Sequence, residues 1–176
     1  MTYCLETTRS HDLTKLQPSC CEKICDIVIR EGGRGADYPA HIVLNLDSAE
    51  KTLAKKEKRP FNQTMDIAFG SADLRELKKG EKKITKKVNK CFVLVDFKLN
   101  TKNCNFSHKS DFEGKVRSSK VLLAGRYPIY SQYYFIYPRT LKQQAIYRIA
   151  RLFNNQPKCP YIPLTEGELF ELWFSS

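Results

Sequence analysis

Two charged residues, Asp96 and Lys98, interrupt the most apolar stretch of the chain, which spans residues 91–99. The four apolar residues at positions 92–95 predict a buried strand that continues through both charges. Side chains two residues apart in a strand share a face and lie about 7 Å apart. A carboxylate and an ammonium would therefore emerge together where this strand reaches the surface. Packing alone does not require that arrangement, whereas a metal-dependent hydrolytic site does.

Two further acidic residues precede this strand. Asp66 lies on the polar face of a second predicted strand over residues 63–70, and Glu22 lies in a predicted helix over residues 20–31. Asp66 and Asp96 can hold Mg²⁺ through oxygen ligands. Such a metal lowers the pKa of bound water and neutralises the charge that develops in phosphodiester hydrolysis. Lys98 would orient the attacking water or stabilise the transition state.

The elements that position these residues alternate between helices and strands. Ser19 can cap the first helix and Gly32 with Gly33 can end it, while residues 1–16 read as loose. Their order predicts one domain over residues 1–176, of the α/β (α+β) class, with a central mixed β-sheet flanked by helices. The periodicity predicts strands over 41–46, 63–70, 91–99 and 132–137, and helices over 20–31, 48–58, 112–124, 141–154 and 165–174.

With these residues in this order, the chain resembles the PD-(D/E)XK nuclease superfamily. In that family a helix with a glutamate precedes a strand with an aspartate, and the next strand ends in (D/E)-x-K before a helix and a further strand. Here the matching residues are Glu22, Asp66 and the triplet Asp96-Phe97-Lys98. The chain departs from the family pattern in having Met65 before Asp66, in having aspartate rather than glutamate at position 96, and in the long spacing between the two aspartates.

The resemblance implies a restriction-endonuclease-like fold, with a nuclease core over residues 19–137 and a C-terminal helical extension over 138–176. It implies a Mg²⁺- or Mn²⁺-dependent endonuclease of restriction or repair type that acts on DNA, with a homodimer as one option. The implied catalytic residues are Glu22, Asp66, Asp96 and Lys98, and the implied metal ligands are Asp66, Asp96 and the carbonyl of Phe97. The sequence leaves open whether Glu22 or Glu31 is the helix glutamate.

The charge of the chain favours a polyanionic partner. The formal net charge is +11, and residues 51–90 hold thirteen Lys and Arg against five Asp and Glu. A basic stretch between the two acidic strands suits a phosphate backbone, and we expect DNA rather than RNA as the partner. The residues predicted to contact nucleic acid are Lys78, Lys79, Lys82, Lys83, Lys115, Ser118 and Lys120.

The cysteines and the apolar pattern bear on compartment and metal chemistry. Seven cysteines make no even framework, which favours reduced thiols in a cytoplasmic protein. No apolar run approaches the length of a membrane span, so no membrane association is expected. Cys20, Cys21, Cys25, Cys104 and His108 are zinc-ligand types, but their spacing contains no Cys-x-x-Cys pair.

Two other interpretations of the sequence remain beside the nuclease. One is a catalytically inactive, nuclease-like protein that only binds nucleic acid, in which Asp96 and Lys98 form an ordinary ion pair. The other is a basic protein-interaction domain whose positive face meets an acidic partner.

Overall fold

We describe the fold from a computed structural model, which covers residues 1–35, 41–79, 82–105 and 108–175. These residues form seven strands, seven α-helices and a short 3₁₀ turn at Pro18–Cys20. The strands are β1 (Thr2–Tyr3), β2 (Cys21–Lys23), β3 (Ile42–Asn45), β4 (Ile67–Lys79), β5 (Lys82–Phe97), β6 (Ile129–Ile136) and β7 (Tyr161–Leu164). The helices are α1 (Leu5–Arg9), α2 (Asp12–Leu16), α3 (Ile24–Arg30), α4 (Leu46–Glu57), α5 (Lys109–Leu122), α6 (Lys142–Leu152) and α7 (Glu166–Trp173).

All seven strands belong to one mixed sheet, which confirms the predicted mixed α/β class. The order is β2-β3-β4-β5-β6-β7, with β1 paired to β4 outside this path. Neighbours from β2 to β5 are antiparallel, whereas β6 runs parallel to both β5 and β7. A parallel pair needs a crossover connection, and α5 and α6 supply the two crossovers. None of the described helices is long and apolar enough to cross a membrane.

Both faces of the sheet are covered. Along β5, Phe92 and Leu94 point into a core shared with α4, α5 and α6, while Val93 and Val95 point into a core shared with α3 and α7. A strand that is buried on both faces reads as a continuous apolar run, which explains the pattern at 92–95. Because side chains alternate along a strand, Asp96 lies on the same face as Leu94, toward α5.

The predicted helix over 20–31 is wrong in its first part. Residues 21–23 form β2, which pairs with β3 through Cys21 with Leu44 and Glu22 with Val43. The helix begins only at Ile24, and its cap position, Lys23, makes no side-chain capping bond. Strand pairing with a segment twenty residues away satisfies the backbone groups here, and local helical spacing does not reveal that.

Residues 1–16 are not loose, contrary to the prediction. They form β1, α1 and α2, and Cys4, Thr7 and Thr8 are buried. The N–H of Cys4 donates to the Gly70 carbonyl at 2.7 Å, and the Gly70 N–H donates to Thr8 Oγ1 at 2.8 Å. A side chain at Gly70 would lie 2.5 Å from Thr7 Cβ, so the glycine allows α1 to pack directly on β4.

The remaining predicted elements are present with shifted ends. The strand predicted over 63–70 begins at Ile67 and continues to Lys79, so the basic stretch becomes part of a long hairpin with β5. The C-terminal part predicted as a helical extension also contributes a strand, since β7 pairs with β6 in parallel. Thr165 caps α7 through a bond from the Glu168 N–H.

Candidate active site

Asp66 and Asp96 meet at one end of the sheet. Asp66 immediately precedes β4 and Asp96 is the penultimate residue of β5. Because these strands are antiparallel, with Ile67 opposite Val95, the start of one lies beside the end of the other. The Phe97 N–H donates to Asp66 Oδ2 at 2.5 Å, which fixes the Asp66 carboxylate against the β5 backbone.

Lys98 joins this cluster by pairing with Asp96, which is more deeply buried than the sequence suggests. Lys98 Nζ lies 2.7 Å from Asp96 Oδ2. The expectation that Asp96 emerges at the surface is wrong, because its side chain is completely buried. Helix α5 covers this face of the sheet and supplies a second cation, so the carboxylate needs no contact with water to balance its charge.

That second cation is Lys115, which bridges the two aspartates. Its ammonium forms an ion pair with Asp96 Oδ1 and lies 3.8 Å from Asp66 Oδ1. Its side chain is 17% exposed and that of Asp66 is 13% exposed. We predicted Lys115 as a nucleic-acid contact, and the structure places it inside the carboxylate cluster.

The position of Lys115 follows from the buried face of α5. Phe112, Val116 and Ser119 are the buried residues of this helix, and residues three or four apart lie on the same face. Ser119 Oγ accepts a bond from the Met65 N–H at 2.8 Å, so the helix is anchored beside Asp66. Lys115 comes three residues after Phe112 and four before Ser119, which puts it near the buried face of the helix. That spacing is the sequence signal that could have revealed the role of Lys115.

The electrostatics of the cluster favour protonation of Asp66. Burial raises the pKa of Asp66 well above its usual range, and the nearby Asp96 charge adds to the effect. Lys115 and the Phe97 N–H act in the opposite direction without overcoming it. For Lys115, burial works to lower the pKa, but the charges of Asp96 and Asp66 outweigh it and raise the pKa above its ordinary value.

Two cavities of opposite character flank the cluster. One, of about 380 Å³, is lined by four acidic residues, Asp66, Glu22, Glu31 and Asp47, and by two basic ones, Arg30 and Lys51, so it is acidic on balance. The other, of about 560 Å³, is lined by cationic and neutral polar side chains, which are Lys98, Lys102, Lys115, Gln63, Asn100, Thr101 and Asn103, together with Asp111, Phe112 and Phe135. The cluster thus lies between an acidic pocket and a predominantly basic one.

Glu22 reaches the acidic cavity from a strand rather than a helix. The predicted helical placement is wrong, because Glu22 is the central residue of β2. Its carboxylate accepts bonds from Arg30 Nη1 at 2.6 Å and Asn45 Nδ2 at 2.7 Å. Glu31, the competing candidate, lines the same cavity, and its charge is among the causes that raise the pKa of Asp66.

Asp47 was missed by the sequence reasoning. It lies in the first turn of α4, directly after β3, and Thr64 Oγ1 donates to its Oδ1 at 2.6 Å. Its charge contributes to the raised pKa of Lys115. The available signal was the position of Asp47 just after β3. Because β3 is antiparallel to β4, the end of β3 lies beside the start of β4, where Asp66 is.

Among the described side chains, Lys115 is the only predicted nucleic-acid contact that forms an ion pair within the cluster. Lys83 is exposed on the β4–β5 hairpin, with Nζ 3.7 Å from Glu76. Ser118 lines a separate cavity of about 440 Å³. Lys120 is exposed, with Nζ 5.0 Å from the centre of the Tyr133 ring. The side chains of Lys78, Lys79 and Lys82 lie outside the described residues, although their backbones belong to the hairpin.

No group of three or more His, Cys, Asp or Glu side chains within the described ranges is arranged to hold a metal ion. That holds for the zinc-ligand types named above and for the acidic cavity. All seven cysteines are free thiols. Asp66 and Asp96 by themselves provide carboxylate oxygens, the ligand type that Mg²⁺ uses. Each oxygen of Asp96, however, already has a lysine ammonium beside it.

A comparison of the chain with protein-family models, curated protein sequences and solved structures returns no significant match.

Proposed function

We propose that this protein is a Mg²⁺- or Mn²⁺-dependent nuclease of restriction-endonuclease-like fold that hydrolyses phosphodiester bonds in DNA. The observation that carries the proposal is the convergence of Asp66 and Asp96, from two neighbouring strands, with Lys98 and Lys115. Two carboxylates and two ammonium groups in a largely buried cluster between two cavities exceed what the packing of this sheet edge requires. Perturbed titratable groups of this kind are typical of functional sites.

The topology around the cluster supports the fold assignment. From Asp66 onward the chain forms β4, β5, α5 and β6, and β5 and β6 are parallel. This is the order that the resemblance implies for the aspartate strand, the (D/E)-x-K strand, the helix and the next strand. The departure is Glu22, which the family pattern expects on a helix.

The donor set fits a hard divalent cation, with Asp66, Asp96 and the Phe97 carbonyl as the ligands. The bound metal would lower the pKa of a water molecule and neutralise charge on the phosphate. Lys115 would then exchange Asp96 for a phosphate oxygen in the basic cavity. Lys98, still beside Asp96, would orient the water or stabilise the negative charge of the transition state. Either Glu22 or Glu31 would act from the acidic cavity.

Cleavage of plasmid DNA and of labelled oligonucleotides, with Mg²⁺ or Mn²⁺ against EDTA, tests this proposal. We expect metal-dependent cleavage by the wild-type protein, and its loss in Asp96→Asn and Lys98→Ala. Matched surface variants, Asp12→Asn and Lys109→Ala, should keep full activity, since both side chains are exposed and neither lines either of the two cavities. Folded protein that cleaves no form of DNA or RNA would overturn the proposal, and activity that survives both cluster variants would overturn the site.

One observation favours a second candidate function, a nuclease-like protein that binds nucleic acid without cleaving it. Each oxygen of Asp96 has a lysine ammonium beside it, so the pairing of this buried carboxylate needs no metal. Tight, salt-sensitive binding of DNA with no metal-stimulated cleavage would select this function. Absence of nucleic-acid binding even at low salt would point to the basic protein-interaction domain.

A further inference from the structure

The outer part of the β4–β5 hairpin, residues 73–79 and 82–88, projects beyond the rest of the sheet, and we call it the arm. Its two strands pair only with each other within the described residues, because β1 pairs with β4 at residues 71 and 72 and β6 pairs with β5 at residues 92–97. Every described side chain at positions 74–76 and 83–87 is exposed. Both faces of the arm therefore meet solvent.

The described side chains of the arm form no packed face. An isolated hairpin without a packed face is marginal in water, and like charges directly opposite each other are destabilising. The register places Arg75 opposite Lys86. The ion pair between Lys83 and Glu76 is long, at 3.7 Å, and joins two exposed side chains, so it contributes little. Leu74 and Ile84 are 63% and 45% exposed, so they add no core. An arm built this way gains most from a partner of opposite charge.

The base of the arm is held firmly. The register shifts between Ser71 and Asp73, where Asn89 adopts a left-handed conformation with φ of 51°. Asn89 Nδ2 donates to Asp73 Oδ2 at 2.8 Å. On α1, Glu6 lies 2.7 Å from Lys90 Nζ and 3.7 Å from Lys87 Nζ. A β-bulge of this kind bends the paired strands and increases their twist, so the arm leaves the body in a defined direction.

The arm lies far from the carboxylate cluster. Lys86 is ten residues before Asp96 on the same strand, and strands rise about 3.3 Å per residue. The path along the strand is therefore about 33 Å, which is close to one turn of B-form DNA, at about 34 Å. A single duplex lying along the hairpin can contact the cluster and the arm at phosphates one turn apart.

We propose that the arm is a second DNA-binding element, which contacts the duplex about one helical turn from the carboxylate cluster. Its width supports a DNA duplex, because the major groove of B-form DNA admits a two-stranded β-ribbon, whereas the major groove of A-form RNA is too narrow for side chains to read. The inference rests on the proposed function only for the class of partner, and binding by the arm needs neither metal nor cleavage.

The test measures binding in EDTA by fluorescence anisotropy, with labelled DNA duplexes of 8 and 16 base pairs. The arm variant is Arg75→Gln with Lys86→Gln, one residue from each strand. The matched control is Lys55→Gln with Lys56→Gln, which removes the same charge from exposed positions at the end of α4. Wild-type affinity should rise at least tenfold from the short to the long duplex, and the arm variant should lose that gain while the control keeps it.

Two further readouts separate binding from folding. The slope of log affinity against log salt should fall by about 1.8 in the arm variant, because each lost phosphate contact contributes about 0.9. The thermal midpoint of the arm variant should not fall, since the substitutions remove a repulsive cross-strand pair. A lowered midpoint with unchanged salt slope would overturn the proposal in favour of a structural role.

Three other results would also overturn it. The first is that the control variant loses as much affinity for the long DNA duplex as the arm variant does. The second is that wild-type protein binds a 16-base-pair RNA duplex as tightly as the DNA duplex. The third is that wild-type protein binds no DNA at low salt, which would point to an acidic protein partner. A protein that binds through the arm yet cleaves nothing would support this inference and contradict only the nuclease.

Discussion

Glu50 and the Asp66–Asp96 pair are both buried acidic groups, but their charges are balanced in different ways. Glu50 is 4% exposed and accepts bonds from Arg59 Nη1 at 2.5 Å, from Arg59 Nη2 at 3.1 Å and from the Asn62 N–H at 2.8 Å. Each of its oxygens thus has a donor. The two aspartates instead share Lys115, whose ammonium lies close to Asp96 but 3.8 Å from Asp66 Oδ1.

The difference appears in the pKa of each group. The hydrogen bonds from Arg59 are the largest reason why the pKa of Glu50 lies below its usual value, so this carboxylate stabilises the folded state at neutral pH. Burial is the largest reason why the pKa of Asp66 lies above its usual value, so this carboxylate costs stability when it ionises. A carboxylate whose ionisation opposes folding is not explained by stability, and the proposed metal site gives Asp66 a role.

The largest expected effect comes from Asp66→Asn. Cleavage should fall at least 10³-fold, equivalent to about 4 kcal/mol of activation free energy, because the substitution removes a proposed metal ligand. The free energy of unfolding at pH 7 should be unchanged or higher, because the amide oxygen can still accept from the Phe97 N–H without a buried charge. Single-turnover cleavage and urea unfolding measure the two quantities. A large loss of stability would show that Asp66 is structural.

The converse is expected for Glu50→Gln. Breaking a buried ion pair can cost 3–5 kcal/mol, but the Arg59 side chain is 31% exposed and retains Glu57, at 2.6 Å from its Nε. We therefore expect a loss of about 2 kcal/mol in the free energy of unfolding. Cleavage per folded molecule should not change. Loss of activity in folded Glu50→Gln protein would remove the distinction between the two acidic groups.

The smallest effect is the pH dependence of stability. Between the ordinary aspartate pKa of about 3.9 and the raised pKa of Asp66, the folded protein keeps a proton that the unfolded chain has released. Stability therefore falls as pH rises through this window, by at most about 1.4 kcal/mol per pH unit. Asp66→Asn should lack this decline. Urea unfolding at a series of pH values measures it, and parallel profiles for the two proteins would contradict the raised pKa.

Glu50 should act with the opposite sign. Its lowered pKa contributes stability above the ordinary glutamate pKa of about 4.3, and that contribution is lost as pH falls through the lower folded value. The stability difference between wild type and Glu50→Gln should therefore shrink in acid. A difference that stays constant down to pH 3 would contradict this.

Much of the sheet could be predicted from the sequence because its signals are local. The apolar run at 92–95 is continuous because β5 is buried on both faces, and Thr165 marks the start of α7 by capping it. Asp66 and Asp96 were expected together because the resemblance sets the aspartate strand beside the (D/E)-x-K strand, and the antiparallel hairpin that joins them is seen only in the structure.

The rest depends on contacts that local patterns do not contain. Cys21–Lys23 pair with β3 across a loop, which turns a helical spacing into a strand and moves Glu22. Lys115 enters the cluster because α5 packs over the end of β5, and the packing of a helix on a sheet is a property of the assembled fold. The charge of residues 51–90 indicated a polyanion partner, but only the strand register shows that part of this charge lies on a hairpin that extends away from the aspartates.

The central claim is that Asp66 and Asp96 form a metal site, and direct binding of Mn²⁺ by isothermal titration calorimetry or electron paramagnetic resonance tests it most directly. We predict one Mn²⁺ per folded molecule in the wild-type protein and in Glu50→Gln, and binding at least tenfold weaker in Asp66→Asn. Equal Mn²⁺ binding by wild type and Asp66→Asn, or no binding by folded wild-type protein, would contradict the account.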